Sequence, residues 1–215
     1  EIISTITSPE PLPKLESDGN VEFTSTYSKE EFCKMVEKTK EYIFDGDIFQ
    51  CVVSRRFEAD YKNSLINAYR VLRSTNPSPY MVYMSIDGDE IISTSPETLV
   101  KLQNGVLNTF PIAGSRPRGK TDTEDNALAD ELIHDEKELA EHNMLVDLGR
   151  NDIGKISEFN SVKVTKYQEV LRYSKIMHIC SEVEGKLKDG LDAFDAIESL
   201  LPAGTLSGAP KIRAC

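Results

Sequence analysis

Hydropathy along the chain changes period between Lys120 and Asp122, and that change limits the fold more than any other feature. Between Tyr80 and Ile112 four short runs, "YMVYMSID", "EIISTS", "ETLVKLQ" and "VLNTFPI", carry β-branched and aromatic residues in strand-like order. The last two are joined by Asn104-Gly105, a pair suited to the positive backbone angles of a two-residue hairpin turn. From Asp122 the stretch "EDNALADELIHDEKELAEHNMLVDLGR" takes helical spacing, read as two helices meeting near His134, the second ended by Gly149 or Gly154. These blocks predict a mostly antiparallel meander followed by helices, without fixing the topology.

The remaining segments fit around that frame. Thr7 to Asn20 holds three prolines and a glycine and reads as a linker. Ser28 with Glu31 forms a capping-box pattern ahead of a helix that carries Phe32, Met35, Val36 and Ile43 on one face and stops at Gly46. "DIFQCVVSRRF" is expected to be a strand, which would set Gln50 among apolar neighbours, and "NSLINAYRVLRS" a helix. Beyond the long helices, "SVKVTKYQEV" and "KIMHICSEVEGKL" alternate like strands, and "DAFDAIESLL" is a short helix stopped by Pro202. A length of 215 residues allows one large domain or two small ones.

Charge narrows the partners. With 36 acidic against 25 basic residues the net charge is −11, which argues against a nucleic-acid or acidic-membrane footprint and favours a small-molecule or protein partner. No apolar run is long enough for a membrane span, and no secretory leader is visible, so a cytoplasmic location is expected. Cys33, Cys51, Cys180 and Cys215 lie far apart with no C-x-x-C pairing, the pattern of reduced thiols, read here as packing residues. The first residue is Glu1, which points to a processed start or a fragment.

Five places carry candidate chemistry. Between Thr121 and Asp147 stand ten acidic residues and one lysine. Within them Glu138 and Glu141, spaced i,i+3, project from one helical side: either a solvated face or a hard-oxygen half-site for Mg²⁺. "FPIAGSRPRG" offers Ala113, Gly114 and Ser115 to a close ligand, followed by Arg116 and Arg118, which could equally be a solvated basic rim. "PAGTLSGAPKIR" sets Gly204, Thr205, Ser207 and Gly208 before a helix-competent run with Pro210 near its first turn, a possible anion cradle lacking the P-loop spacing. His178 sits in an alternating strand, as a core histidine or a proton shuttle. Glu97 begins a strand after a proline, as an edge carboxylate or as an enclosed acid.

Seven segments, "GDIFQCVVSRRF", "NPSPYM", "SPETLV", "PIAGSRPRG", "DEKELAEHNMLVDLGRND", "KIMHICSEVEG" and "PAGTLSGAPKIRA", occur in the order found in chorismate-utilising enzymes and resemble the large component of anthranilate synthase. The match runs from Thr26 to the last residue. It implies residues 1–25 as a linker and N-terminal remnant and 26–215 as a partial chorismate-binding catalytic domain. The implied fold is α+β, antiparallel sheets packed face to face with outer helices. The implied reaction converts chorismate and ammonia to anthranilate and pyruvate, with Mg²⁺ as cofactor and a glutamine amidotransferase subunit as ammonia source. In those roles Glu138 and Glu141 would hold the metal, Glu97 would protonate the leaving C4 hydroxyl, His178 would serve pyruvate loss, and Gly114, Ser115 and Thr205 would bind substrate. Pro79, Tyr80 and Met81 would belong to a site for feedback tryptophan, whose usual N-terminal partner segment is not in this chain. Family members continue past "APKIRAC" with further substrate and metal residues, so this chain alone is expected to be inactive.

A few positions discriminate within the family. Isochorismate and salicylate synthases place a lysine where Gln50 stands, to activate water. Aminodeoxychorismate synthase has a nucleophilic lysine where this chain has Ala113, whose methyl cannot attack. Threonine is common where Ser115 stands, and the serine keeps the hydroxyl. Aminodeoxychorismate synthase is the nearest alternative enzyme. A non-catalytic chorismate- or tryptophan-binding module and an acidic interaction domain are the alternatives from other classes.

Overall fold

The computed structural model describes residues 3, 4, 7, 19–173 and 175–215, so most of the expected 7–20 linker lies outside the described residues. The chain divides into two compact units, one from residues 1–27 and 55–94 and the other from 28–54 and 95–215. This division cuts across the single 26–215 segment expected from the resemblance.

In the first unit β1 (Thr24–Ser25) pairs antiparallel with β3 (Phe57–Glu58), and β4 (Tyr80–Ile86) forms a hairpin with β5 (Asp89–Ser95). The helix Ile66–Thr75 starts beside that hairpin. Glu90 fastens the two together, accepting from Ser64 Oγ and Tyr83 Oη and from the Leu65 amide at the helix start.

The second unit holds the candidate site. Its centre is β10 (Ile176–Lys186), which pairs along one edge with β9 (Lys163–Arg172) and along the other with β8 (Ile112–Pro117) and then β7 (Val106–Thr109). β6 (Lys101–Gln103) completes the sheet beyond β7, and every pairing is antiparallel. Met177, Ile179 and Val183 of β10 are fully buried. Met177 and Ile179 pack with Ala129 and Leu132, and Val183 with Val146, Ile153 and Leu200. Burial of each such side chain supplies roughly 1.5–3 kcal/mol.

The helices that cover the sheet are Asp122–His134 and Glu136–Gly154, called α3 and α4 after α1 (Lys29–Phe44) and α2 (Ile66–Thr75). They meet at Asp135, one residue beyond the expected junction, because the Asp135 carboxylate caps α4 by accepting from the Lys137 and Glu138 amides. Gly149 does not end the second helix. A Cβ there would lie 3.0 Å from Thr109 Cγ2, so the glycine lets α4 approach β7, and the helix runs on to Gly154.

Helix α1 begins with the expected capping box, since Ser28 and Glu31 bond reciprocally, and Gly46 follows its end with φ +80°. The strand expected over "DIFQCVVSRRF" shortens to β2, Gln50–Cys51, because its partner β11 is only Gly208–Ala209. The "ETLVKLQ" strand likewise contracts to its last three residues. Helix α5 (Ala193–Leu200) stops before Pro202, and two single-turn helices follow, α6 (Gly204–Ser207) and α7 (Lys211–Ala214). All four cysteines are free, but Cys33 and Cys215 are exposed; only Cys180 is fully in the core, where burial pushes its thiol up to about 11. No helix among the described residues is long and apolar enough to cross a membrane.

Candidate functional site

The site residues are carried mainly by α4 and by the strands and turns it faces. A helix this acidic needs a counter-charge, and Arg116 supplies it from β8. Its guanidinium pairs with Glu131 at 2.9 Å and with Asp135 at 2.9 Å, and lies 3.7 Å from Glu138 Oε1. Arg118 makes a two-point pair with Asp125, which also accepts from Arg172 and from the Gly119 amide. These partners hold the Asp125 carboxyl down at about 2. The two arginines of "GSRPRG" are therefore tied by ion pairs to the acidic helices and do not form a loose basic rim.

Gly114, two residues before Arg116, lies beside Glu138. The β8–β10 register shifts between His178 and Ile179, so that Gly114 is the extra residue of a bulge, with φ +68°. A side chain is excluded there on space as well as on backbone angle. A Cβ would sit 3.1 Å from Glu138 Oε2 and 3.2 Å from the methyl groups of Ile179 and Leu132. The missing Cβ lets the Glu138 carboxylate and the Ile179 and Leu132 methyl groups close against the Gly114 backbone. Glu141, one turn along, is half-buried and lines a groove of about 760 Å³ with Gln50, Phe49 and Lys137. Glu138 is absent from that groove and faces the Arg116 guanidinium instead, so the two carboxylates share a helix but not that groove. No group of three His, Cys, Asp or Glu side chains converges among the described residues.

His178 stands across the bulge. Its Nδ1 is 3.0 Å from the Gly114 carbonyl oxygen, and its ring meets Tyr173 edge-on at 5.9 Å. A carbonyl only accepts, so Nδ1 carries the proton and Nε2 keeps a lone pair in the neutral ring. Ser115, exposed, is the register partner of His178. Gly114, Ser115, His178 and Glu138 are thus one cluster, built by a strand bulge.

Glu97 and Thr205 form a second cluster. Both line a cavity of about 390 Å³ together with Thr109, Leu148 and Asp152. Burial pushes the Glu97 carboxyl up from its ordinary range, against a smaller opposing effect of its hydrogen bond with Thr205. Leu148 borders both this cavity and the Glu141 groove, so the two lie on either side of one α4 side chain. The anion cradle expected near Pro210 changes form. Residues 204–207 are themselves a helical turn, and Ser207 Oγ donates back to the Ala203 carbonyl, leaving Thr205 as the hydroxyl in the cavity. Pro79, Tyr80 and Met81 lie at and just before the start of β4 in the first unit, the first two exposed and Met81 half-buried.

Two buried polar pairs were not anticipated. Lys211 Nζ meets Asp152 Oδ2 at 2.6 Å with both side chains in the interior. His142, fully buried, bonds Ser181 Oγ at 2.6 Å through Nε2 while its Nδ1 has no partner, and burial drives its pKa down to about 4. Ser181 Oγ also accepts from the amide of Gln168, which has φ +54° at a bulge in β9. A signal for Asp152 was present: Leu145, Leu148, Gly149 and Asp152 recur at i, i+3, i+4 and i+7, an apolar helical stripe ending in a carboxylate that needs a partner. Nothing local pointed to Lys211.

The comparisons with known proteins agree with this geometry. The family of chorismate binding enzymes matches residues 1–215. Anthranilate synthase component 1 of Acetivibrio thermocellus is 54% identical over 191 residues, covering 89% of this chain and 39% of that protein. The protein of the same name from Aquifex aeolicus is 52% identical over 190 residues, covering 88% and 38%. The crystal structure of anthranilate synthase component I from Streptococcus pneumoniae superposes with a TM-score of 0.86 at 46% identity, over 99% of this chain and 47% of that one. The chain therefore spans about two fifths of the length of the curated relatives it matches. With a whole-chain family match and an antiparallel α+β fold shared with a solved relative, the chain belongs to the chorismate binding enzymes.

Proposed function

We propose that the intact gene product carrying this chain is a cytoplasmic carbon–oxygen lyase that converts chorismate and ammonia to anthranilate and pyruvate, the first committed step of tryptophan biosynthesis. The observation that carries the reading is Glu97: a half-buried carboxyl that lines a cavity together with Thr205 and whose pKa burial raises. A raised pKa is the direction of shift that suits a general acid which protonates a leaving hydroxyl.

In the first step Glu97 gives its proton to the C4 hydroxyl, which leaves as water while ammonia forms the C–N bond at C2 and both ring double bonds shift by one position. Gly114, Ser115 and Thr205 orient the substrate through backbone and hydroxyl groups. In the second step His178 Nε2 takes the C2 proton, the bond between ring C3 and the ether oxygen breaks as the ring becomes aromatic, and the departing enolpyruvate takes a proton at its methylene carbon to become pyruvate. The Gly114 carbonyl keeps the imidazole in the tautomer this requires. Glu138 and Glu141 would hold Mg²⁺, which when bound offsets the charge of the substrate carboxylate beside an acidic helix. Ammonia would come from a glutamine amidotransferase subunit, and tryptophan would inhibit through Pro79, Tyr80 and Met81.

Ala113 supports anthranilate over aminodeoxychorismate. It is buried on β8 and offers only a methyl where the rival chemistry requires a nucleophile. Product analysis of the intact gene product with chorismate, ammonium and Mg²⁺ tests the assignment. Anthranilate and pyruvate are expected in equal amounts, and in His178→Ala the aminated intermediate is expected to accumulate without pyruvate. Aminodeoxychorismate or isochorismate as the main product of the parent, or unchanged pyruvate release in the variant, would count against it.

A further inference from the structure

The mechanism above makes no use of Asp152 and Lys211, although both border or support the Glu97 cavity. Their side chains are 8% and 6% exposed, a depth at which an ion pair is retained only with good geometry and further hydrogen bonds. Lys211 Nζ has both: Asp152 Oδ2 at 2.6 Å and the Leu200 carbonyl at 2.9 Å, the latter at the C-terminal end of α5 where carbonyls lack helical partners. The other Asp152 oxygen takes Lys155 Nζ, a mostly exposed lysine, at 3.2 Å. One ammonium on α7 thereby ties the body of α4 to the end of α5. The chain between these anchors, residues 201–210, contains Thr205 and supplies one wall of the cavity. Asp152 is itself in the cavity wall, a second carboxylate in a space proposed to admit a ligand with two carboxylates of its own.

We propose that Lys211 is a positioning residue for this cavity: it pins the 201–210 segment so that Thr205 meets Glu97, and it cancels the Asp152 charge that would repel an anionic ligand. The pinning stands on the geometry alone, and the charge effect rests on the chorismate reading. Both belong to this chain's own residues and need no bound metal.

The test uses the intact gene product and three variants, Lys211→Met, Lys211→Arg and the double variant Asp152→Asn with Lys211→Met. Hydrogen exchange of residues 201–210 reads the pinning with no substrate present. Exchange there is expected to accelerate about tenfold or more in Lys211→Met and in the double variant; unchanged exchange would overturn the pinning. KM for chorismate reads the charge. It is expected to rise about tenfold in Lys211→Met, to stay within about threefold of the parent in Lys211→Arg, which keeps the cation, and to be at least about threefold lower in the double variant than in Lys211→Met, because the double variant loses the carboxylate while staying unpinned. A purely structural lysine would lower the folded fraction and leave KM of the folded molecules at the parent value, which would overturn the charge effect. If Lys211→Met does not fold, the double variant decides the pinning, and Asp152→Asn, which keeps an oxygen acceptor for Lys211 while removing the negative charge from the same wall, decides the charge: a higher KM there contradicts the proposal. A parent protein that turns over no chorismate would remove the functional reading while the exchange result still decides the role of Lys211.

Discussion

At the scale of the residue, two carboxyls pushed in opposite directions separate structure from chemistry. Asp125 is drawn down to about 2 by Arg118 first and then by the Gly119 amide and Arg172, so its charged form belongs to the fold. The lowered value means that its stabilisation is complete above the ordinary aspartate range near 3.8 and is lost as pH falls through about 2. Asp125→Asn is therefore expected to lower the melting temperature at pH 7, and the gap from the parent should close as the pH of the melt approaches 2. A gap independent of pH would show that the ion pairs contribute nothing. Glu97 has the opposite sign. Its raised pKa means that the ionised form is penalised in the folded state, a penalty that is present at high pH and vanishes as pH falls through the raised value. Its environment thus opposes stability at neutral pH and favours holding a proton.

At the scale of the element, the β8–β10 bulge builds the cluster of Gly114, Ser115 and His178. Gly114→Ala would force a side chain into a backbone angle of +68° and into contact with Glu138, Ile179 and Leu132. It is expected to cost about 1–2 kcal/mol of stability, read as a lower melting temperature, and to reduce kcat/KM by misplacing His178 and Ser115. A variant matching the parent in both would show that the bulge is incidental. The elements themselves were largely legible: α1 from its Ser28–Glu31 box, β6 and β7 from Asn104-Gly105, and α3 with α4 from their spacing. Bulges were not, because register is a property of two strands. Nothing within "PIAGSR" reveals that His178, more than sixty residues on, shifts pairing against it. The length of β2 was hidden for the same reason, since Gly208–Ala209 ends its ladder.

At the scale of the whole molecule, the candidate residues come from segments that only folding brings together. Glu97 meets Thr205, and Gly114 meets Glu138 and His178, at sequence separations that periodicity does not see. Motif order carried the family to within reach of the sequence alone, whereas the ion pairs of Arg116 and Arg118 and the Asp152–Lys211 pair required coordinates. The partition into two compact units was hidden as well, because residues 28–54 and 95–215 belong to one unit although 55–94 separate them in the chain. The central claim is that Glu97, in its cavity, is the acid of a chorismate-to-anthranilate reaction. Its most direct test is anthranilate fluorescence from the intact gene product and from Glu97→Gln, with chorismate, ammonium and Mg²⁺, beside a thermal melt of each. The account predicts anthranilate from the parent, a loss of about 10²–10⁴ in kcat in the variant, and a melting temperature equal to or above the parent's. A variant that makes anthranilate at the parent rate would contradict it.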